Sequence, residues 1–101
     1  MSKLYDVAVV GATGAVGEAM ISILEERKFP VRNLYPLASS RSAGKTIMFN
    51  GRSIRVTDLA EFDFSQAQIG LFSAGGGISA EFAPRAGAAG CVVIDNTSHF
   101  R

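Results

Sequence analysis

The sequence predicts a doubly wound α/β fold, a mostly parallel sheet covered by helices and carrying a β-hairpin insertion. Three observations lead there. Short Val- and Ile-rich runs closed by glycine read as buried strands, a helical periodicity lies between them, and a glycine-rich turn joins the first strand to the first helix. Parallel neighbours need helical crossovers, so the order strand, helix, strand, hairpin, strand, helix, strand winds into such a sheet.

Leu4 to Val10 is the first strand, closed by Gly11. From Val16 the apolar residues Val16, Ala19, Met20, Ile23 and Leu24 recur at helical spacing, with Glu18, Ser22, Glu25 and Glu26 opposite, and the helix stops before Pro30. Asn33 to Ala38 is a second strand, weakened by Pro36. Asn50-Gly51, the most favoured type I′ turn pair, lies between Ile47–Phe49 and Ser53–Val56 and predicts a hairpin. Gln68 to Ala74 and Cys91 to Asp95 read as buried strands. Between them Ile78, Phe82, Ala86 and Ala89 keep helical spacing, in a helix that Pro84 shortens or kinks. The sequence stops soon after the last strand, so Cys91 to Asp95 is expected at a sheet edge and the domain reads as truncated.

Of the 101 residues, 48% are apolar and 19% charged, with ten Lys and Arg against nine Asp and Glu, a net charge of +1. A chain of this length buries roughly 60–65% of its unfolded surface, enough for one core, so residues 1–101 read as one domain. The balanced charge gives no long-range field to recruit nucleic acid or a membrane surface. The longest apolar run, Val7 to Gly17, is broken twice by glycine and is too short to span a bilayer, which predicts a cytoplasmic protein. A single cysteine allows no internal disulfide and no cysteine metal cage, and no metal site is expected.

The turn Gly11-Ala12-Thr13-Gly14-Ala15-Val16-Gly17 is the most informative segment. Its spacing, G-x-x-G-x-x-G, is a variant of the G-x-G-x-x-G of dinucleotide-binding sheets, and its place between strand and helix makes the fold Rossmann-like. Gly11 permits the tight turn, Gly14 lets the backbone approach a pyrophosphate, and Gly17 lets the helix pack on the sheet. The N–H groups of Thr13, Gly14, Ala15 and Val16, at the positive helix end, are then expected to face the phosphates. The bland alternative is a turn that only packs a helix on a strand. An NAD site usually places an acidic residue near the end of the second strand, to hold the ribose 2′-hydroxyl. Here that place holds Ser39-Ser40-Arg41-Ser42, a guanidinium among hydroxyls suited to a 2′-phosphate, which argues for NADP(H). A solvated loop with one arginine is the competing reading.

Taken together, GATGAVG, SSRSAGK, FSAGG and DNTSHFR resemble, in order and spacing, the amino-terminal part of bacterial-type aspartate-β-semialdehyde dehydrogenases, from about Asp6 to Arg101. The resemblance implies a two-domain enzyme that reduces aspartyl phosphate to the semialdehyde with NADPH, on the path to lysine, threonine and methionine. It implies that Thr13, Gly14, Ala15 and Val16 hold the cofactor phosphates and that Arg41 and Ser42 hold the 2′-phosphate. By the same resemblance Ser73, Ala74 and Gly75 lie beside the nicotinamide half, Asn96 lines the active site, and Arg101 binds the substrate's phosphate or inorganic phosphate. The parent is expected to be a homodimer acting on a small-molecule substrate.

The family's nucleophile, a cysteine in an Asn-Cys pair, and its catalytic histidine match no position here. His99 reads as a loop residue, and Cys91 begins a buried strand with no His or Lys beside it to stabilise a thiolate. No catalytic residue is therefore expected in residues 1–101, which read as an incomplete NADP-binding domain lacking the catalytic and dimerisation domain. Two alternatives stand beside this: a non-catalytic NADP-binding regulatory module, and a piece of the related reductase of N-acetylglutamyl phosphate. Arg41, Asn96 and Arg101 favour the dehydrogenase over the module, since a binder of cofactor alone has no need of a substrate-phosphate arginine, and the DNTS-x-F-R ending makes the reductase the weaker match.

Overall fold

The structure, a computed structural model, describes residues 4–72, 82 and 84–95. Five strands form one sheet: β1 (Tyr5–Val10), β2 (Val31–Ala38), β5 (Thr57–Asp58), β6 (Ile69–Phe72) and β7 (Val92–Asp95), in the order β5-β2-β1-β6-β7. Every pairing in it is parallel. Helix α1 (Ala15–Glu26) crosses from β1 to β2, and β3 (Thr46–Phe49) with β4 (Arg52–Arg55) makes a separate antiparallel hairpin. The expected doubly wound α/β sheet with a hairpin insertion is the fold found.

Alternation along β1 shows why both faces need cover. Val7 and Val9 join Ala12, Ile21, Leu34 and Phe49 in a core beneath α1 and the hairpin. Ala8 and Val10 join Leu37, Phe62, Phe64, Phe72, Phe82 and Ala86 on the opposite face. Successive strand side chains point to opposite faces, so a continuous Val-rich strand demands this two-sided burial. Rings of Tyr35, Phe62, Phe64 and Phe72 run through the second core, with centroids 5.1, 5.2 and 6.1 Å apart in turn.

Several expectations need correction. Along α1 the sequence pattern put Val16, Ala19, Met20, Ile23 and Leu24 on the inner face, but Val16 and Ile23 are exposed and the fully buried positions are Gly17 and Ile21. The glycine is the cause. Because Gly17 makes the closest approach to the sheet, the seam centres on Gly17, Ile21 and Leu24 instead of on the bulkiest side chains. Among the described residues β7 lies at the sheet edge, as expected, and although its sequence is that of a buried strand, Val92 and Ile94 are exposed there.

Pro36 does not weaken β2, since the strand runs from Val31 through the proline. Leu37 turns its carbonyl toward β1, where it accepts from the N–H groups of Gly11 and Ala12 at 2.8 and 3.1 Å. Neighbouring strand residues bond to opposite sides, so Pro36 faces the β5 side, where pairing begins only at Leu37 with Thr57. No ladder bond is lost to the proline.

The hairpin follows expectation. Asn50 and Gly51 both have positive φ, 51° and 79°, as a type I′ turn requires. Strand β5 and the two 3₁₀ turns after it, Leu59–Glu61 and Phe64–Gln66, have no counterpart in the sequence reading. The side chains of Asp58 and Asp63 accept from the N–H of Ala60 and of Ser65 and start those turns. Phe82 and residues 84–88 are helical, so Pro84 lies within a helical stretch, and the residues preceding Phe82 lie outside the described residues. Among the described residues no helix is long and apolar enough to cross a membrane, and no group of three metal-ligating side chains gathers.

Candidate functional site

The carboxyl ends of the strands, where the chain leaves β1 for α1, are the place a parallel sheet offers a ligand. β2 lies on one side of β1 and β6 on the other, so the winding reverses at β1. Gly11 turns the chain with φ 84°, in the left-handed region where a side chain would be strained. Gly17 allows the return: a Cβ there would stand 2.0 Å from the carbonyl oxygen of Gly11 and 2.9 Å from Cα of Ala12. Both glycines do what the spacing predicts.

Gly14 caps α1 with φ −84°, and among the described residues a Cβ would meet only the Gly11 oxygen at 3.5 Å, an ordinary contact. One expectation is revised here. The N–H of Gly14 is not open to a ligand, because it donates to Gly11 C=O at 3.0 Å. Among the described residues the N–H groups of Thr13, Ala15 and Val16 have no acceptor, and α1 carries no side-chain cap. A short row of donors at a positive helix end suits a pyrophosphate.

Beyond Ala38 the chain turns through residues 39–44, with the N–H groups of Ser42 and Ala43 donating to Ser39 C=O at 2.9 and 3.1 Å. The Thr13 hydroxyl donates to Oγ of Ser42 at 3.3 Å, which joins the glycine turn to the Arg41 loop across the ends of β1 and β2. Arg41 is exposed. An acidic residue does stand near the end of β2: Asp58, which pairs in register with Ala38. Sequence reasoning missed it because it arrives from β5, but its carboxylate is committed to the Ala60 N–H. These residues fit a dinucleotide cofactor: open amides beside a small-residue turn suit a pyrophosphate, and an exposed arginine stands on the neighbouring serine-rich loop.

Phe72 ends the described part of β6 directly opposite Val10. Ser73, Ala74, Gly75, Asn96, His99 and Arg101 lie outside the described residues. Cys91 is buried, with its Sγ 3.1 Å from where a Cβ on Gly70 would sit, so Gly70 makes room for it. Burial pushes its thiol up from the ordinary value, away from the thiolate a nucleophile needs.

A concavity of about 500 Å³ opens elsewhere, between the amino end of β2 and the hairpin, lined by Arg32, Asn33, Phe49 and Arg52 among others. It is remote from the strand carboxyl ends, and Arg32 is already paired with Asp6.

Residues 6–101 match the family model for the semialdehyde dehydrogenase, NAD-binding domain. An aspartate-semialdehyde dehydrogenase of Legionella pneumophila is 63% identical over the whole chain, which spans 29% of that relative's length. One from Shewanella violacea is 62% identical and is spanned to 30%. In structure the chain is similar to aspartate semialdehyde dehydrogenase II of Vibrio cholerae, solved complexed with ASA, with a TM-score of 0.94 and 60% identity, over 97% of this chain and 32% of that one. The chain thus spans about a third of the length of the relatives it matches. Glycine turn, sheet order and matched residues agree, and the chain belongs to the family of semialdehyde dehydrogenase NAD-binding domains.

Proposed function

We propose that residues 1–101 are the NADP-binding part of an aspartate-semialdehyde dehydrogenase, which reductively dephosphorylates aspartyl phosphate to aspartate semialdehyde. The observation that carries this reading is the bond from Thr13 to Ser42. It places the open amides of Thr13, Ala15 and Val16 beside the loop of Arg41, so that one ligand can span both. A pyrophosphate takes the amides, and a 2′-phosphate takes Arg41 with Ser42 through charge-assisted hydrogen bonds. The nicotinamide, when bound, supplies or accepts hydride. Ser73, Ala74 and Gly75, which follow β6 in sequence, serve its half of the cofactor. Asn96 lines the substrate site, and Arg101 holds the substrate's phosphate.

The nucleophilic cysteine and the catalytic histidine come from the remainder of the parent, which the family resemblance gives as a cytoplasmic homodimer. Cys91 is a packing residue in this reading. The test is phosphate-dependent reduction of NADP⁺ by aspartate semialdehyde. The intact parent turns over, and residues 1–101 alone do not. Turnover by residues 1–101, abolished by Cys91→Ser, would overturn the assignment.

A further inference from the structure

The loop that carries Arg41 ends at Gly44, whose φ of +95° lies in the left-handed region. A Cβ at Gly44 would sit 3.8 Å from Nη2 of Arg55, so this guanidinium lies over the end of the loop. The base of the hairpin brings it there. Gly44 N–H donates to Val56 C=O at 2.9 Å, Val56 N–H donates to Lys45 C=O at 2.7 Å, and Thr46 pairs with Arg55 in the ladder. A residue far along the chain is thereby fixed against the loop that follows β2.

Three cations stand on or beside this loop. Arg41, Lys45 and Arg55 are all exposed, and among the described residues no carboxylate pairs with any of them. Asp58, at the adjoining end of β5, is turned to the Ala60 N–H instead. Exposed cations on one short loop and on the hairpin base beside it favour an anion there. The hydroxyls of the same loop supply further hydrogen-bonding groups for a phosphate.

We propose that Arg55 is a second specificity-determining residue, which adds a guanidinium from the hairpin side of the Arg41 loop to the site of a phosphate monoester, the 2′-phosphate of NADP. The proposal rests on the reading of the Arg41 loop given above. It gives the hairpin a role, since the β3–β4 ladder is what carries Arg55 to the cofactor's adenosine end.

The test is calorimetric titration of NADP⁺, NAD⁺ and adenosine 2′,5′-bisphosphate into the intact protein and its Arg55→Ala, Arg55→Lys and Arg41→Ala variants, with inorganic phosphate titrated into the NADP-saturated forms. Arg55→Ala is expected to weaken NADP⁺ and the bisphosphate by about three- to tenfold and to change NAD⁺ by less than about twofold, as loss of one partly exposed charged contact would. Arg55→Lys keeps the charge and recovers most of the loss, which separates charge from folding. Equal losses for NAD⁺ and NADP⁺, no loss for either, or a loss confined to inorganic phosphate would overturn the proposal. Arg41→Ala distinguishes the two readings. If it abolishes the NADP preference while Arg55→Ala is silent, only the role of Arg55 fails; if it leaves the preference intact, the reading of the whole loop fails with it.

Discussion

At the amino end of the sheet the buried polar groups of Asp6 are partnered within the protein; at the carboxyl end a row of helix-end amides is left open. Asp6 is buried, and its carboxylate accepts from Nε of Arg32 at 3.0 Å and from Nδ2 of Asn33 at 2.9 Å. Its N–H donates to the side-chain oxygen of Gln68 at 3.1 Å, and its C=O accepts from the Gln68 N–H at 2.8 Å. At the other end, Thr13, Ala15 and Val16 hold unpartnered N–H groups among the described residues, and Arg41 and Arg55 hold unpaired charge. Helix-end amides turned outward beside the Arg41 loop, at the carboxyl end of a parallel sheet, are the arrangement that suits an anionic ligand.

The largest expected effect tests the steric half of this contrast. Gly17→Ala would drive a Cβ into the Gly11 backbone, which cannot yield as a flexible side chain could. The variant should lose about 3 kcal/mol or more by denaturant unfolding and most of its cofactor affinity. Gly14→Ala is the sharper companion. With φ −84° and, among the described residues, only an ordinary contact awaiting its Cβ, it should keep stability within about 0.5 kcal/mol yet bind the dinucleotide at least about tenfold more weakly. A Gly14→Ala variant that binds normally would break the claim that the turn faces a ligand.

Next in size is the 2′-phosphate. Arg41→Ala should weaken NADP(H) by about ten- to a hundredfold while NAD(H) barely changes, since charge-assisted bonds of roughly 1.5–3 kcal/mol are lost only where the phosphate exists. Steady-state kinetics of the parent should show this chiefly in KM, because the phosphate is remote from the hydride.

The closed end should answer differently. Asp6→Ala is expected to cost about 1–3 kcal/mol of stability, with cofactor affinity unaltered in the folded protein. The Arg32 guanidinium, with help from Asn33, holds the Asp6 carboxyl below the usual carboxylate range against the opposing effect of burial. A depressed folded-state value means that this stabilisation is fully present above the ordinary carboxylate range and is lost as pH falls through the lowered value. Unfolding measured against pH should therefore show an acid-side decline that Asp6→Asn removes. An unchanged decline in that variant would contradict the role given to the pair. Smallest is Gly51→Ala at the hairpin tip, where φ 79° should cost a side chain about 1 kcal/mol in thermal unfolding without touching the cofactor.

What could be read from the sequence was what local sterics decide. Gly11 and Asn50-Gly51 name backbone geometries that few residues adopt, and Gly17 a place with no room for a Cβ, so their letters carried the turn, the hairpin and the close approach of α1 to the Gly11 turn. Arg41 was singled out because no acid directly follows the second strand in sequence, whereas Asp58 reaches that place from β5. What escaped was set by contacts between distant segments: β5, the 3₁₀ turns begun by Asp58 and Asp63, the Arg32 to Asp6 pair, and the bond from Thr13 to Ser42. The inner face of α1 was misassigned for a related reason. Periodicity weighs side-chain apolarity, whereas the packing seam follows the absence of a side chain at Gly17.

Amide chemical-shift mapping during titration with NADP⁺ tests the contrast between the two ends most directly. Saturable shifts are expected at Thr13, Ala15, Val16 and the 39–44 loop, with Asp6, Arg32, Asn33 and Gln68 unmoved. Shifts centred on Asp6 and Arg32, or on the concavity beside the hairpin, with the glycine turn silent, would contradict the account.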